Sequence, residues 1–229
     1  MSKGICLCSG GLDSTLALIK CLEKGDHMTA MYVDYGQWPS GNEELAVEDV
    51  VEWCRKVFNS KMEMRARLSL ILDEADSAGV GSVWGRGIAL VGIAAMWAYT
   101  HGNDYDYIAL GNHKGDVGPD CMPGEFDSIL GKVLGTATKG KLQLLLPIRD
   151  YAIEQIGIDL KSYGVPFDIL YNCYWSPNCQ YKSENDKYLC PGCRRKILAM
   201  KAAGIPESEL YPPNGGRTYQ SESATKVSY

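Results

Sequence analysis

The chain has 229 residues, with 23 Lys and Arg against 28 Asp and Glu, which gives a net charge of −5. This length suits one well-buried α/β domain with a small appendage and is too short for two full domains. The acidic balance supplies no overall positive field, so we expect no direct nucleic-acid partner. We also expect a cytosolic protein without membrane partners, because no N-terminal signal region precedes residue 9 and the apolar run 88–98 is too short to span a bilayer.

Strand and helix patterns alternate along the first part of the chain. Apolar periodicity predicts strands at residues 4–8, 28–34, 61–67 and 107–110, and helices at 12–23, 42–58 and 87–100. This alternation indicates a Rossmann-like α/β fold, in which helices cover both faces of a parallel sheet. Polar motifs follow the first, second and fourth strands, and such sheets bind ligands at the carboxyl ends of their strands. We therefore expect these motifs to form one site.

The second part of the chain has shorter elements. A short apolar run at 142–146 precedes a predicted helix at 151–163, and a last helix is predicted at 194–203. The sequence divides into a nucleotide-binding α/β domain at 1–165, a metal-binding helical segment at 166–211 and a polar tail at 212–229. The tail is rich in Pro, Gly, Ser and Thr, so we expect it to be mobile or ordered by a partner chain.

The segment that joins the first strand to the first helix is Cys8-Ser9-Gly10-Gly11-Leu12-Asp13-Ser14-Thr15. Its adjacent glycines permit positive φ, so that successive N–H groups can face an anion, and its hydroxyl groups add further donors. The helix that follows directs the positive end of its dipole to the same place. The Gly-Lys-Ser/Thr ending of a Walker loop is absent. The segment predicts a phosphate-binding loop of another type; the alternative is a turn followed by a helix cap.

Nine cysteines in a cytosolic chain favour metal ligands or buried thiols over disulfides. Four lie in apolar-periodic segments and are expected in the core: Cys6, Cys8, Cys21 and Cys54. Four others fall close together: Cys173, Cys179, Cys190 and Cys193. The C-x-x-C pair and its two neighbours suit a tetrahedral structural Zn²⁺ site. The alternatives are a redox pair or thiols without a metal.

The loop resembles the Ser-Gly-Gly-x-Asp-Ser loop of the PP-loop ATP pyrophosphatases, which cleave ATP between the α and β phosphates. Further motifs extend the resemblance to the 7-cyano-7-deazaguanine synthases, the QueC family, from about residue 4 to residue 206. Besides the loop, these motifs are Asp34-Tyr35-Gly36-Gln37, Gly111-Asn112, Pro119-Asp120-Cys121 followed by Glu125-Phe126, Pro147-Ile148-Arg149-Asp150, Asn172-Cys173-Tyr174 and Cys190-x-x-Cys193-Arg194.

The resemblance implies an adenine nucleotide alpha hydrolase-like fold and a zinc-containing homodimer. It also implies an ATP-dependent ligase that adenylates 7-carboxy-7-deazaguanine and uses ammonia to form the amide and then the nitrile, as in queuosine biosynthesis. Bound Mg²⁺ would neutralise charge on the leaving pyrophosphate.

The matching positions assign candidate roles to individual residues. The proposed nucleotide contacts are Cys8, Ser9, Gly10, Gly11, Leu12, Asp13, Ser14, Thr15, Asp34, Tyr35 and Gly111, and the proposed catalytic residues are Ser9, Asp13, Ser14 and Arg86. Asp13 would orient the metal or the loop, and helix capping is the alternative. Arg86 would pair with the substrate carboxylate or a phosphate, and a surface ion pair is the alternative. Asn112 and Asp120 would contact the guanine-like edge of the substrate.

The chain departs from the family pattern at three places. Lys187 replaces a cysteine, so Cys179 would supply the fourth zinc ligand. Gly87 replaces the asparagine after Arg86, and Ile153 replaces a lysine. These changes leave three functional hypotheses: nitrile formation, acyl transfer to another amine such as a protein terminus in an antiviral defence system, and PP-loop tRNA thiolation. Thiolation would call for a basic RNA-binding region and catalytic cysteines, which the acidic chain and its clustered cysteines do not favour.

Overall fold

The structure is a computed structural model that describes residues 1–37, 39–59, 62–69, 85–102, 104–116, 125–174, 190–206 and 209. Its elements in chain order are β1 (Lys3–Leu7), α1 (Leu12–Glu23), β2 (His27–Asp34), α2 (Ser40–Val57), β3 (Met62–Ser69), α3 (Arg86–Thr100), β4 (Tyr107–Ala109), α4 (Glu125–Ala137), β5 (Gln143–Leu145), α5 (Ile153–Ser162), a 3₁₀ turn (Phe167–Ile169) and α6 (Pro191–Ala202). The five strands form one parallel sheet in the order β3-β2-β1-β4-β5.

Helices cover both faces of the sheet, and successive side chains of a strand point to opposite faces, so each strand contributes to two cores. Cys6 of β1 and Ala109 of β4 face one core, which α1, α2, α5 and α6 complete. Ile5 and Ile108 face the other core, which α3 and α4 complete. The predicted α/β architecture is therefore confirmed.

The strand order reverses at β1, which pairs with β2 on one side and with β4 on the other. Connections from β1 and β4 therefore leave the sheet in opposite directions and open a crevice between them at their carboxyl ends. The loop at residues 9–15 follows β1, and Gly111 follows β4. Both thus lie at this crevice.

The predicted elements are found, and two differences have physical causes. The helix Glu125–Ala137 escaped prediction because Gly131 and Gly135 interrupt its apolar pattern and lower its helix propensity. The last helix starts at Pro191 rather than at Arg194, since a proline fits the first turn and the Cys190 sulfur caps it by accepting the Cys193 N–H.

In the part of the chain that the structure describes, no helix combines the length and apolarity needed to cross a bilayer. The polar tail predicted at 212–229 lies outside the described residues. The boundaries of the three predicted segments remain predictions.

Candidate functional site

The backbone of loop 9–15 is held close to two other segments. Gly10 has a φ of +71°, and a Cβ there would collide with the Cβ of Ala46 in α2. The Gly10 carbonyl accepts the N–H of Tyr171 at 2.9 Å. Gly11 is the N-cap of α1 and has no side chain to cap it. The first N–H groups of α1 therefore lie beside Gly10 and Gly11, and Gly10 occupies a position that a larger residue could not take.

The hydroxyl groups of the loop converge on one another. The Ser9 N–H donates to Ser14 Oγ at 3.2 Å, and the two Oγ atoms are 3.4 Å apart. Thr15 Oγ1 is buried and has no hydrogen-bond partner among the described residues. Gly111 lies against this turn, since a Cβ on it would be 2.7 Å from Ser14 N. The loop thus presents hydroxyl and backbone donors at the crevice between β1 and β4.

Asn172 joins the loop from the C-terminal part of the chain. Its Oδ1 accepts the N–H of Leu12, the first residue of α1, at 3.3 Å. Asn172 belongs to the sequence motif Asn172-Cys173-Tyr174, but the sequence alone predicted no role for it. Its contact spans 160 positions of the chain, so only the fold brings the two residues together.

A polar cluster includes Asp13 of the loop and consists of Asp13, His113, Asp116 and Arg195, of which His113 is buried and the others are half-buried. His113 is 1% exposed, and its Nε2 lies 3.9 Å from Asp13 Oδ1 and 3.5 Å from Asp116 Oδ1. Arg195 of α6 pairs with Asp116 Oδ1 at 3.3 Å. Burial raises the pKa of Asp13 to about 6, although the charges of His113 and Arg195 oppose the rise. Sequence reasoning missed His113, whose signal was its place in the polar stretch after β4.

A second group of polar residues lies after β2. Gln37 Nε2 donates to Glu43 Oε2 at 2.8 Å, and burial raises the pKa of Glu43 to about 6. Asp34 Oδ1 accepts the Gly36 N–H at 3.0 Å. Arg86 Nη1 donates to the Tyr35 hydroxyl at 3.5 Å, so the start of α3 lies at the carboxyl end of β2. Three of the predicted site residues are therefore neighbours.

Tyr174 connects the two groups. Burial raises its pKa to about 12, and the charges of Asp13, Arg86, Asp116 and Arg195 all act on its hydroxyl. Charges influence a pKa strongly only over short distances. The charges that act on the Tyr174 hydroxyl thus include Asp13 of the first group and Arg86 of the second.

The structure describes one of the two residues that are predicted to contact the guanine-like edge of the substrate. Asn112 Nδ2 donates to Asp127 Oδ1 at 3.5 Å, and Asp127 Oδ2 pairs with Arg149 Nε at 2.7 Å. Asn112 thus adjoins an ion pair at the carboxyl end of β4. Asp120 lies outside the described residues.

The candidate metal centre comprises Cys173, Cys190 and Cys193, whose sulfurs all lie within 4.8 Å of one another. The N–H groups of Tyr174 and Cys193 donate to Cys190 Sγ at 3.3 and 3.4 Å. Hydrogen bonds between Cys190 and the Cys173 and Cys193 thiols, together with these N–H groups, lower the pKa of Cys190. Three convergent sulfurs with such donors fit Zn²⁺. Cys179, the predicted fourth ligand, lies outside the described residues.

Known proteins and a family model are similar to this chain over most of its length. Curated 7-cyano-7-deazaguanine synthases are 25% identical in Campylobacter curvus, over 92% of this chain and 98% of the relative, and 27% identical in Koribacter versatilis, over 92% and 94%. Among solved structures, a "predicted subunit of tRNA methyltransferase" from Methanocaldococcus jannaschii has 17% identity and a TM-score of 0.39 over 68% of this chain and 73% of that one, a likeness too low to carry an argument. A family model described as "Queuosine biosynthesis protein QueC" matches residues 3–204, so the chain belongs to the QueC family.

Proposed function

We propose that this protein is an ATP-dependent ligase that adenylates 7-carboxy-7-deazaguanine and transfers the acyl group to ammonia. The amide formed first would be activated in the same way and dehydrated to 7-cyano-7-deazaguanine. The observation that carries the proposal is the donor-rich loop at residues 9–15 in the crevice between β1 and β4. The names of the curated relatives supply the substrate class.

The chemistry explains why such a loop is needed. A carboxylate resists attack by an amine because its leaving group would be oxide. Transfer of AMP to the carboxylate creates a good leaving group and releases pyrophosphate. Ser9, Ser14 and the first N–H groups of α1 would bind that pyrophosphate, and Mg²⁺ carried with ATP would neutralise its charge.

The second polar group suits the remaining parts of the substrates. Asp34 and Tyr35 would contact the nucleotide, and Arg86 would pair with the substrate carboxylate or the transferred phosphate. Asn112 and Asp120 would contact the guanine-like edge. Zn²⁺ on the cysteine cluster would have a structural role, because four thiolate ligands leave no open position. We further propose that the protein is a homodimer.

The test is incubation with 7-carboxy-7-deazaguanine, ATP, Mg²⁺ and ammonia, followed by mass spectrometry of every product. AMP, pyrophosphate and the nitrile are expected. Formation of the amide without the nitrile would restrict the proposal to its first step. A lack of AMP would contradict the proposal as a whole, and ADP formation would indicate a different cleavage of ATP.

A second candidate is acyl transfer to another amine, such as a protein terminus in an antiviral defence system. Gly87, which follows Arg86 in the first turn of α3, offers no polar side chain, and Ile153 packs against the core instead of offering an amine. Both positions lose polar groups that the family pattern supplies for the second activation. Intact mass spectrometry of a candidate partner protein, incubated with enzyme, ATP and substrate, would reveal the acyl adduct. Its absence from every partner tested, alongside nitrile production, would reject this candidate.

PP-loop tRNA thiolation remains a third hypothesis without a supporting observation in the structure. The clustered cysteines face one another, an arrangement that suits a metal ion better than sulfur transfer. An assay of sulfur incorporation into tRNA tests it directly, and absence of incorporation is expected.

A further inference from the structure

The ring of His113 is fixed by the turn that follows β4. The Gly115 N–H donates to His113 Nδ1 at 3.1 Å, and the Asp116 N–H donates to the His113 carbonyl at 3.1 Å. A Cβ on Gly115 would lie 2.8 Å from His113 Cε1, so a larger residue there would displace the ring. Because Nδ1 accepts a backbone N–H, a neutral ring carries its proton on Nε2. We therefore assign Nε2 as the donor.

This donor has two carboxylates within reach, and only one of them lacks a partner. Asp116 Oδ2 accepts the backbone N–H of His113 at 2.9 Å, and Asp116 Oδ1 pairs with Arg195. Asp13 Oδ1 is buried and has no hydrogen-bond partner among the described residues, and the same holds for His113 Nε2. An unpaired buried polar atom is costly, so the two atoms have reason to meet.

A shared metal ion is a poorer explanation of the cluster. Within the described ranges, the group of three or more His, Cys, Asp or Glu ligand atoms that lies within 4.8 Å of one another is the cysteine cluster. Asp13, His113 and Asp116 do not converge in this way. A direct contact between Nε2 and Asp13 Oδ1 needs a closure from 3.9 Å, and hydrogen bonds at active sites often shorten when the ligand binds.

Asp13 lies in the first turn of α1, where its charge repels a bound phosphate unless it is compensated. We infer that His113 is a positioning residue whose Nε2–H donates to the Asp13 carboxylate and partly offsets its charge, so that loop 9–15 can bind the phosphates of ATP. The inference rests on the proposed role of the loop as a phosphate site. It does not depend on which acid is adenylated or which amine accepts it.

Two substitutions of His113 separate this role from a purely structural one. His113→Asn keeps an acceptor close to the position of Nδ1 and removes the donor toward Asp13. His113→Gln places an amide N–H close to the position of Nε2 and removes the acceptor for Gly115. A residue that only builds the turn is better replaced by Asn, whereas a residue that serves Asp13 is better replaced by Gln.

The experiment is calorimetric titration of the full chain with MgATP in the absence of a deazaguanine. His113→Asn should weaken ATP binding by about tenfold or more, because hydrogen bonds to charged groups are worth at least that factor. His113→Gln should stay within about threefold of the wild type. In an Asp13→Asn background, His113→Asn should add less than a further twofold, since the two residues act as a pair.

Ile156→Val, which removes a buried methylene far along the chain in α5, controls for a general loss of stability. Equal losses in the Asn and Gln variants, wild-type binding by His113→Asn, or additive losses with Asp13→Asn would each overturn the inference. If His113→Asn does not fold, the result for His113→Gln decides the matter, and a tenfold loss there contradicts it. A wild-type protein that binds no ATP overturns it too, whereas one that binds ATP but forms no AMP contradicts only the proposed reaction.

Discussion

At the scale of single residues, Asp13 combines a proposed functional role with a cost to stability. Its side chain is 24% exposed, yet its Oδ1 is buried and lacks a hydrogen bond among the described residues. Burial raises its pKa from the usual 3.8 to about 6. Such a shift means that the folded state disfavours the charged form. A carboxylate kept under these conditions is typical of a site whose chemistry needs it.

We predict that the free energy of unfolding of Asp13→Asn, taken relative to wild type, is higher at pH 7.5 than at pH 4. The folded wild type binds the proton of Asp13 more tightly than the unfolded chain does. The protonated Asp13 side chain therefore stabilises the fold below about pH 4, and this contribution is lost as the pH rises through about 6. The variant lacks this loss, so its stability relative to wild type should rise by up to about 3 kcal/mol across that interval. Urea unfolding at both pH values measures the difference.

The matched control is Glu154→Gln, which removes one carboxylate from an exposed position in the first turn of α5. A pH-dependent gain in both variants would point to net charge rather than to the buried site. The Asp13→Asn variant should also lose AMP formation, since the same carboxylate is proposed to serve the reaction.

A second prediction at this scale concerns Arg86. Arg86→Gln should reduce kcat/KM for the carboxylated substrate by about ten- to a hundredfold, because it removes a charge-assisted hydrogen bond. If Arg86 binds the substrate carboxylate before reaction, KM should carry most of the change. Initial rates of AMP formation measure both constants. Arg55→Gln, at an exposed position of α2, is the control, and equal kinetics in the two variants would contradict the assignment.

At the scale of elements, the site depends on how closely β4 approaches the start of α1. A Cβ on Gly111 would lie 2.7 Å from Ser14 N and 2.8 Å from Asp13 C. Both are backbone atoms of the loop, so they cannot move aside without displacing α1. The glycine therefore fixes the distance between the end of β4 and the first turn of the helix.

Gly111→Ala should lower the free energy of unfolding by about 1–3 kcal/mol, as overpacking usually does, and should weaken ATP binding. Gly92→Ala is the matched control, because no atom lies within 4 Å of a Cβ there and alanine favours the helix. Urea unfolding and calorimetry compare the two variants. Retention of wild-type ATP affinity by Gly111→Ala would show that the loop tolerates a shift of β4.

The sequence predicted elements better than contacts between them. The bounds of α1 were predicted correctly because Gly11 precedes it, Gly25 follows it and its apolar period is regular. Loop 9–15 could be proposed as a phosphate site from the sequence alone, because its donor groups lie in consecutive residues. His113 and Asn172 were missed as parts of the candidate site, since their partners are distant along the chain and only the folded structure brings them together. Patterns in one segment carry no information on such contacts.

At the scale of the whole molecule, the C-terminal part of the chain contacts loop 9–15 at several points. Tyr171 and Asn172 hydrogen bond to Gly10 and Leu12, directly before Cys173. Arg195, shortly after Cys193, pairs with Asp116 of the polar cluster. The cysteine cluster thus lies between two segments that contact residues at or near the loop. A metal ion there would join the segment that contains Cys173 to the start of α6.

This arrangement also constrains the turn at the start of α6. A Cβ on Gly192 would collide with the carbonyl oxygen of Asn172. Gly192→Ala should therefore move Asn172 away from Leu12 and weaken ATP binding, as calorimetry would show. Gly135→Ala in α4, where no atom lies within 4 Å of a Cβ, is the control and should bind ATP like the wild type. Equal affinities would mean that the helix can shift without disturbing the loop.

Removal of the proposed zinc should accordingly affect both stability and nucleotide binding. Cys190→Ser should lose zinc, lower the free energy of unfolding by about 3 kcal/mol or more, and weaken ATP binding by about tenfold, because metal binding is coupled to folding. Zinc content by elemental mass spectrometry, urea unfolding and calorimetry give the three readouts. Cys54→Ala, which removes a buried thiol of α2 from the core, should lose stability but keep zinc and ATP affinity. Loss of zinc with unchanged ATP affinity would mean that the cluster stabilises its own segment without supporting the loop.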